Sequence, residues 1–206
     1  ISRIGAVWHC RLHFAPGHCV WRCDSPGKVG VANSLSLKPG IDQAAFGPTM
    51  GAMVSEAQRD RAVGMICAAQ EEGARIAAGG DKANIPGAFL EPTVLTDVLR
   101  EMSIAQEEVF GPVVSVLKFS TDGEAIQIAN GTPYGLVGGV FTRDLDRATG
   151  AARQLRAGQV FVNEWYAGGV ETPFGGFGKS GYGREKGREA LWNYVQIKNI
   201  AIKLQD

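Results

Sequence analysis

Residues 113–162 read VVSVLKFSTDGEAIQIANGTPYGLVGGVFTRDLDRATGAARQLRAGQVFV, in which three short apolar runs are separated by two more polar segments. Short apolar runs with several valines are typical of strands that are buried on both faces of a sheet. The order strand, helix, strand, helix, strand predicts an α/β fold in which the strands run parallel and helices cover the sheet. The predicted strands are Val113–Leu117, Gly139–Phe141 and Val160–Val162.

Capping signals predict where two of the helices begin and end. Thr121–Glu124 and Ser55–Gln58 each have the spacing of a capping box, so a helix should follow each of them. The helix after Thr121 should end at Asn130-Gly131, and the helix after Ser55 should end near Gly73. A further strand is predicted from Pro92 to Leu95, and the inner face of the helix after Ser55 is predicted to carry Ala62, Ile66 and Ala69.

The C-terminal part of the chain predicts three more elements. Asp144–Leu155 has the pattern of an amphipathic helix, with Gly158 as the residue that closes it. Arg184–Tyr194 is also predicted to be helical. Residues 196–206 are predicted to form a strand, because Ile200, Ile202 and Leu204 alternate with other residues. The unpaired backbone of such a strand must join an edge of its own sheet or of a second copy, so we expect a homo-oligomer.

Composition narrows the class of partner. The chain has 206 residues, 45% of them hydrophobic, and its 21 basic and 21 acidic residues give a formal net charge of zero. A net charge of zero gives no sign of the basic surface that binds nucleic acids or anionic membranes. A small molecule is therefore the expected partner. No apolar run is long enough to span a bilayer and no signal peptide is apparent, which favours a cytoplasmic location.

Residues 1–30 differ from the rest of the chain. They contain every histidine and three of the four cysteines, and the first glutamate of the chain is Glu56. We therefore place a boundary near Gly30 and consider the first residue, Ile1, a sign of truncation. One explanation is a displaced reading frame, which translation of the other frames of the coding DNA would test. A zinc site is the alternative, since the segment offers His9, Cys10, His13, His18, Cys19 and Cys23, although their spacing does not match a standard zinc motif.

Two motifs carry a resemblance to a known family. The first is QEEVFGP at residues 106–112, and the second is PFGGFGKSGYGRE at residues 173–185. In their order and spacing they resemble the aldehyde dehydrogenase superfamily, and the resemblance runs from about Gly47 to the C-terminus. It implies a three-layer, parallel-sheet catalytic domain over residues 31–195, between the atypical segment over 1–30 that composition indicates and the oligomerisation strand over 196–206 that alternation predicts. It also implies oxidation of an aldehyde to a carboxylic acid by NAD or NADP, through a cysteine thioester.

The resemblance assigns two residues to the cofactor. Glu108 matches a glutamate that accepts hydrogen bonds from the nicotinamide ribose, a task that suits a carboxylate with two acceptor oxygens. Phe110 matches an aromatic residue beside the nicotinamide. From the residues alone, Glu107 and Glu108 also fit a solvated or salt-bridged acidic turn, and Phe110 fits ordinary core packing.

Three further residues are assigned to the substrate and the chemistry. Phe174 matches an aromatic wall of the aldehyde pocket, and Trp165 is a second candidate wall, with plain core packing as the alternative. An aromatic wall suits either an apolar aldehyde tail or, through a cation–π contact, a cationic one. Glu185 matches a glutamate suggested to relay a proton from the catalytic thiol, with a salt bridge as the alternative. No metal is assigned to this site.

The family nucleophile has no match in the expected place. Family members carry Gly-Gln-x-Cys about forty residues before a Gly-Pro that aligns with Gly47-Pro48, whereas Cys10 is out of register with that cysteine. Either Cys10-Arg11 or Ser2-Arg3 corresponds to the Ser-Arg that follows the nucleophile. The sequence therefore predicts a catalytic-domain portion of an aldehyde dehydrogenase whose activity alone is open. The alternative is a non-catalytic oligomerisation or metal-binding protein on the same fold.

Overall fold

The computed structural model describes residues 50–164 and 168–204, together with the backbone of residues 11–14 and 18–21. Four helices and two short 3₁₀ segments accompany the strands in this part of the chain. The strands are β1 Arg11–Phe14, β2 His18–Trp21, β3 Arg75–Ala78, β4 Thr93–Thr96, β5 Val113–Lys118, β6 Val137–Phe141 and β7 Gln159–Val162. The helices are α1 Glu56–Glu71, α2 Ser103–Gln106, α3 Asp122–Ala129 and α4 Leu145–Gln154, and the 3₁₀ segments are Gly178–Ser180 and Arg188–Asn193.

The strands form one 7-stranded sheet in the order β3-β4-β5-β2-β1-β6-β7. The pairs β4/β5, β5/β2 and β6/β7 are parallel, whereas β3 and β1 run antiparallel to their neighbours. The predicted order of elements from β5 to β7 and the α/β class are confirmed. The β1–β2 hairpin lies between β5 and β6, so the two strands that α3 connects are not neighbours in the sheet. Sequence pattern did not indicate these two strands, and the predicted boundary near Gly30 lies outside the described residues.

Helix α1 forms as its capping box predicts. The Ser55 hydroxyl accepts a hydrogen bond from the Gln58 N–H at 3.2 Å, and the chain leaves the helix at Gly73, whose φ is +107°. The predicted inner face is confirmed, because Ala62, Ile66 and Ala69 are fully buried. This face packs against apolar residues of the β3–β5 part of the fold, including Leu90, Leu95, Val113 and Leu117.

The cap of α3 is also confirmed, and α4 lies within its predicted range and begins after an N-cap that was not predicted, Asp144. Thr121 accepts from the Glu124 N–H at 3.2 Å and Asp144 from the Arg147 N–H at 3.0 Å. A charged pair, Arg147 and Asp122, joins the two helices. Their apolar faces meet strands β6 and β7 in a second core cluster that contains Phe119, Ala125, Ile126, Val140 and Leu155.

The prediction that Gly158 closes α4 is wrong. The helix ends at Gln154, and Leu155 is already extended with φ −69° and ψ 126°. Gly158 instead lies against the backbone of a distant loop, because a Cβ built on it would be 1.6 Å from the Gly175 carbonyl oxygen. Glycine is used both where two backbone segments pack closely and where a helix ends. The sequence alone does not distinguish these two roles.

The predictions for the last residues also need correction. Instead of an α-helix over Arg184–Tyr194, the structure has the short 3₁₀ segment Arg188–Asn193. Residues 195–204 form neither helix nor strand in the single chain, so the predicted terminal strand does not join its own sheet. The side chains of Ile200, Ile202 and Leu204 are 69%, 79% and 85% exposed. Pairing of this segment with a second copy stays a prediction.

Candidate cofactor and substrate site

The loop between α2 and β5 holds the first two predicted site residues. Phe110 has φ +52°, a left-handed conformation that costs free energy for a residue with a bulky side chain. Its ring is 68% exposed, so the predicted alternative of core packing is not what the single chain shows. A strained backbone that presents an aromatic ring to solvent is typical of a binding loop.

Two side chains of α1 hold this loop, and the sequence interpretation did not single them out. The Gln58 side-chain N–H donates to the Val109 carbonyl oxygen at 2.8 Å and to that of Phe110 at 3.3 Å. Arg61 donates to the Glu108 carbonyl oxygen at 3.5 Å. The only sequence signal was their spacing of three residues, which places them on neighbouring turns of one helix.

The two adjacent glutamates of the loop have different surroundings. Glu107 is exposed, and its carboxylate lies 3.6 Å from the Arg61 guanidinium. Glu108 is half-buried, and burial raises the pKa of its carboxyl group. Its carboxylate has no hydrogen bond or ion pair to any residue in the described part of the chain. The salt-bridged acidic turn therefore describes Glu107, whereas Glu108 keeps both oxygens available to hydroxyl donors of a ligand.

The glycine-rich segment from Gly175 to Ser180 is fixed on the loop that precedes β6. The Phe177 N–H donates to the Gly135 carbonyl oxygen at 2.9 Å, and the Lys179 N–H donates to that of Pro133 at 2.9 Å. In return, the Gly135 N–H donates to the Ser180 hydroxyl at 3.1 Å. The segment is thus held on a loop that lies far before it in the sequence.

Phe174 and Glu185, assigned separately to the pocket and to the proton relay, are brought together. Each donates its N–H to the carbonyl oxygen of the other at 2.7 Å, which closes the glycine-rich loop between them. Phe174 is half-buried and Glu185 is exposed. The predicted salt bridge of Glu185 is absent among the described residues, and Trp165 lies outside them.

The structure does not bring every predicted residue together. No hydrogen bond, ion pair or ring contact joins the Glu108–Phe110 loop to the Phe174–Glu185 pair within the described residues. Cys67, exposed on α1, is the one cysteine whose side chain is described, and Cys10 lies outside these residues. The described side chains also contain no group of three metal-ligating residues, and the six-residue Cys/His cluster falls outside them. None of the described helices is both long and apolar enough to cross a membrane.

Comparison with known proteins identifies the family. The model described as "Aldehyde dehydrogenase family" matches residues 30–200. A betaine aldehyde dehydrogenase of Cereibacter sphaeroides is 46% identical over 74% of this chain and 32% of its own length. A protein of Macroscelides proboscideus, "Aldehyde dehydrogenase, cytosolic 2", is 42% identical over 82% of this chain and 67% of its own length. Among solved structures, an NAD⁺ complex of an aldehyde dehydrogenase from Bacillus cereus superposes with a TM-score of 0.78, at 40% identity, over 86% of this chain and 35% of that one.

The chain therefore belongs to the aldehyde dehydrogenase family. It spans about a third of the length of the betaine aldehyde dehydrogenase that it matches. The fold predicted from the sequence is that of the catalytic domain of these relatives.

Proposed function

We propose that this chain is a catalytic-domain portion of an aldehyde dehydrogenase that binds a nicotinamide cofactor and oxidises an aldehyde to a carboxylic acid. The observation that carries the proposal is the Glu107–Pro112 loop, in which Glu108 is half-buried without a partner and Phe110 is exposed at φ +52°. Both residues are thus free to meet a ligand. The NAD⁺-bound relative of the same fold supports NAD, and NADP remains an alternative.

Each residue of the cofactor loop has a proposed task. The Glu108 carboxylate accepts hydrogen bonds from the hydroxyl groups of the nicotinamide ribose. The Phe110 ring packs beside the nicotinamide and excludes water from one side of it. The bound cofactor supplies the chemistry of hydride acceptance. Burial raises the pKa of Glu108, so hydroxyl donors that favour its charged form would bring that pKa back down.

The overall reaction consumes an aldehyde, one water molecule and the oxidised cofactor, and yields a carboxylic acid, the reduced cofactor and one proton. A cysteine thiolate adds to the carbonyl carbon, hydride leaves that carbon, and water then hydrolyses the thioester. The Phe174 ring is the proposed wall for the aldehyde tail, with Trp165 as the second wall. Glu185, joined to Phe174 through the backbone, is proposed to take up the thiol proton. None of the described residues is assigned as this nucleophile.

The exposed C-terminal segment supports a second part of the proposal, self-association. Leu204 and its alternate neighbours Ile200 and Ile202 are exposed, although they are apolar. An apolar segment with free backbone groups can pair with the same segment of a second copy. A cytosolic location is also proposed, and it is supported by a relative whose name places it in the cytosol.

Cofactor binding tests the proposal directly. We expect NAD⁺ to bind the wild-type chain, and Glu108→Gln to weaken binding about tenfold, because a neutral amide replaces a charged acceptor. Glu107→Gln is the matched control and should bind NAD⁺ as the wild type does. Titration calorimetry measures the Kd of NAD⁺ and of NADP⁺ for the wild type and both variants. A chain that forms oligomers but binds neither cofactor would instead support the non-catalytic alternative.

A further inference from the structure

The Phe174 ring already has a cation beside it. The Lys186 ammonium nitrogen lies 5.8 Å from the centre of this ring, within the range of a cation–π contact. A second cation, the Arg184 guanidinium, lies 5.3 Å from the centre of the Phe177 ring. The two aromatic rings of the glycine-rich loop are therefore each paired with a positive charge from the same short segment.

The backbone fixes where the Lys186 side chain starts. Lys186 has φ +59°, and its neighbour Glu185 is bound to Phe174 by two hydrogen bonds of 2.7 Å. On the other side, the Gly187 N–H donates to the Val170 carbonyl oxygen at 2.8 Å. Because Glu185 and Gly187 are both held by hydrogen bonds, the Lys186 backbone between them is fixed next to the Phe174–Glu185 pair.

An acidic residue also lies near this lysine. The pKa of Glu171 is lowered, chiefly by hydrogen bonds from the main-chain N–H groups of Glu171 itself and Gly169, and the Lys186 charge adds to this effect. The Glu171 carboxylate accepts from the Gly169 N–H at 3.0 Å. Glu171 therefore does not remove Lys186 from the ring, since its carboxylate is already held by backbone donors.

We propose that Lys186 makes this pocket selective against aldehydes with a cationic tail and in favour of neutral or anionic ones. The inference rests on the proposed function, in which the Phe174 ring is a wall of the aldehyde pocket. An aromatic ring attracts one cation through its negative face, and the resident ammonium both occupies that face and repels a second positive charge. A neutral tail of the same shape meets the ring without that repulsion.

Two pairs of molecules with equal shape and different charge test this selectivity. Choline and 3,3-dimethyl-1-butanol are the binding pair, and betaine aldehyde and 3,3-dimethylbutanal are the substrate pair. Binding is followed by the NMR shifts of the Phe174 ring in chain labelled at phenylalanine. We expect the neutral alcohol to bind more tightly than choline, and Lys186→Gln to reduce this preference about two- to fivefold, as the loss of one exposed cation–π contact implies.

Lys179→Gln is the matched control, because it removes an exposed lysine of the same loop that contacts no aromatic ring among the described residues. The inference is supported if Lys186→Gln changes the preference and Lys179→Gln does not, with the same trend in kcat/KM for the two aldehydes. It is overturned, with the proposed function intact, if choline and its isostere shift the ring equally in the wild type. If neither molecule shifts the ring, Phe174 is no pocket wall, and both the inference and that part of the proposed function fail.

Discussion

The side-chain amide of Gln58 donates to the Val109 carbonyl oxygen at 2.8 Å, across 51 residues of sequence. The same N–H group reaches the Phe110 carbonyl oxygen at 3.3 Å. The first turn of α1 thus holds the left-handed turn that exposes the Phe110 ring. Gln58 is a positioning residue in this arrangement, because it acts on the loop backbone.

Removal of the Gln58 amide should loosen the cofactor loop. A hydrogen bond of this kind contributes about 1 kcal/mol, so we expect Gln58→Ala to weaken NAD⁺ binding about fivefold. Gln70→Ala, on the exposed end of α1, is the control and should have no effect on the Kd. Equal changes in the two variants would mean that the loop conformation does not depend on Gln58.

The raised pKa of Glu108 predicts how stability depends on pH without cofactor. In the unfolded chain the Glu108 carboxyl group has a pKa of about 4.5, whereas in the folded chain it keeps its proton to a higher pH. The free energy of unfolding of the wild type therefore decreases as pH rises from the unfolded pKa through the raised folded pKa. Glu108→Gln cannot lose this proton. We therefore expect the free energy of unfolding of Glu108→Gln, relative to the wild type, to increase from about pH 4 to about pH 7.

Urea unfolding at a series of pH values measures this difference. Glu107→Gln provides the comparison, since it removes the exposed carboxylate next in the chain. A relative stability of Glu108→Gln that stays flat or decreases with pH would contradict a raised pKa in the folded chain.

Gly158 should tolerate no side chain. Its Cβ position is 1.6 Å from the Gly175 carbonyl oxygen, so Gly158→Ala must move the glycine-rich loop and should cost about 2 kcal/mol or more. Gly150 lies within α4 with nothing within 4 Å of its Cβ position. Gly150→Ala should therefore stabilise the chain by about 0.5–1 kcal/mol. Chemical denaturation measures the free energy of unfolding of both variants. A decrease in this free energy for Gly150→Ala would contradict the prediction.

The C-terminal segment should control self-association. Ile202→Lys places a charge among the exposed apolar residues of the proposed contact and should shift the chain towards monomer. Ala201→Lys adds the same charge on the alternate side of the segment, and we expect it to leave the oligomer in place. Analytical ultracentrifugation distinguishes these outcomes. If both variants associate like the wild type, the contact between copies involves another surface.

Sequence predicted best those features that depend on nearby residues. The capping boxes at Ser55 and Thr121 satisfy N–H groups three residues away, so pattern alone located both helix starts. Gly158 was misassigned, because its role depends on Gly175, which approaches only in the folded chain. The Arg188–Asn193 3₁₀ segment also departed from its helical pattern. The residue before it, Gly187, has φ +60° and donates its N–H to the distant Val170 carbonyl oxygen, a contact that the pattern does not include.

The same distinction applies to the site. The motif residues Glu108 and Phe174 were found through family resemblance, whereas the left-handed turn at Phe110 has no signature in the residue types around it. Gln58 was missed because its hydrogen bonds reach across the fold. The Lys186–Phe174 contact was missed for a similar reason, since the two residues meet only when the loop closes.

The pairing of Phe174 with Glu185 has a mechanical consequence. Each N–H donates to the other residue's carbonyl oxygen, so neither amide proton is released to solvent unless the whole bridge opens. The backbones that carry the ring and the carboxylate therefore move together, and a ligand that displaces the Phe174 ring also displaces Glu185. Under the proposed function, an aldehyde with a bulkier tail would thus change the position of the proposed proton acceptor, Glu185, as well as the fit of its own tail.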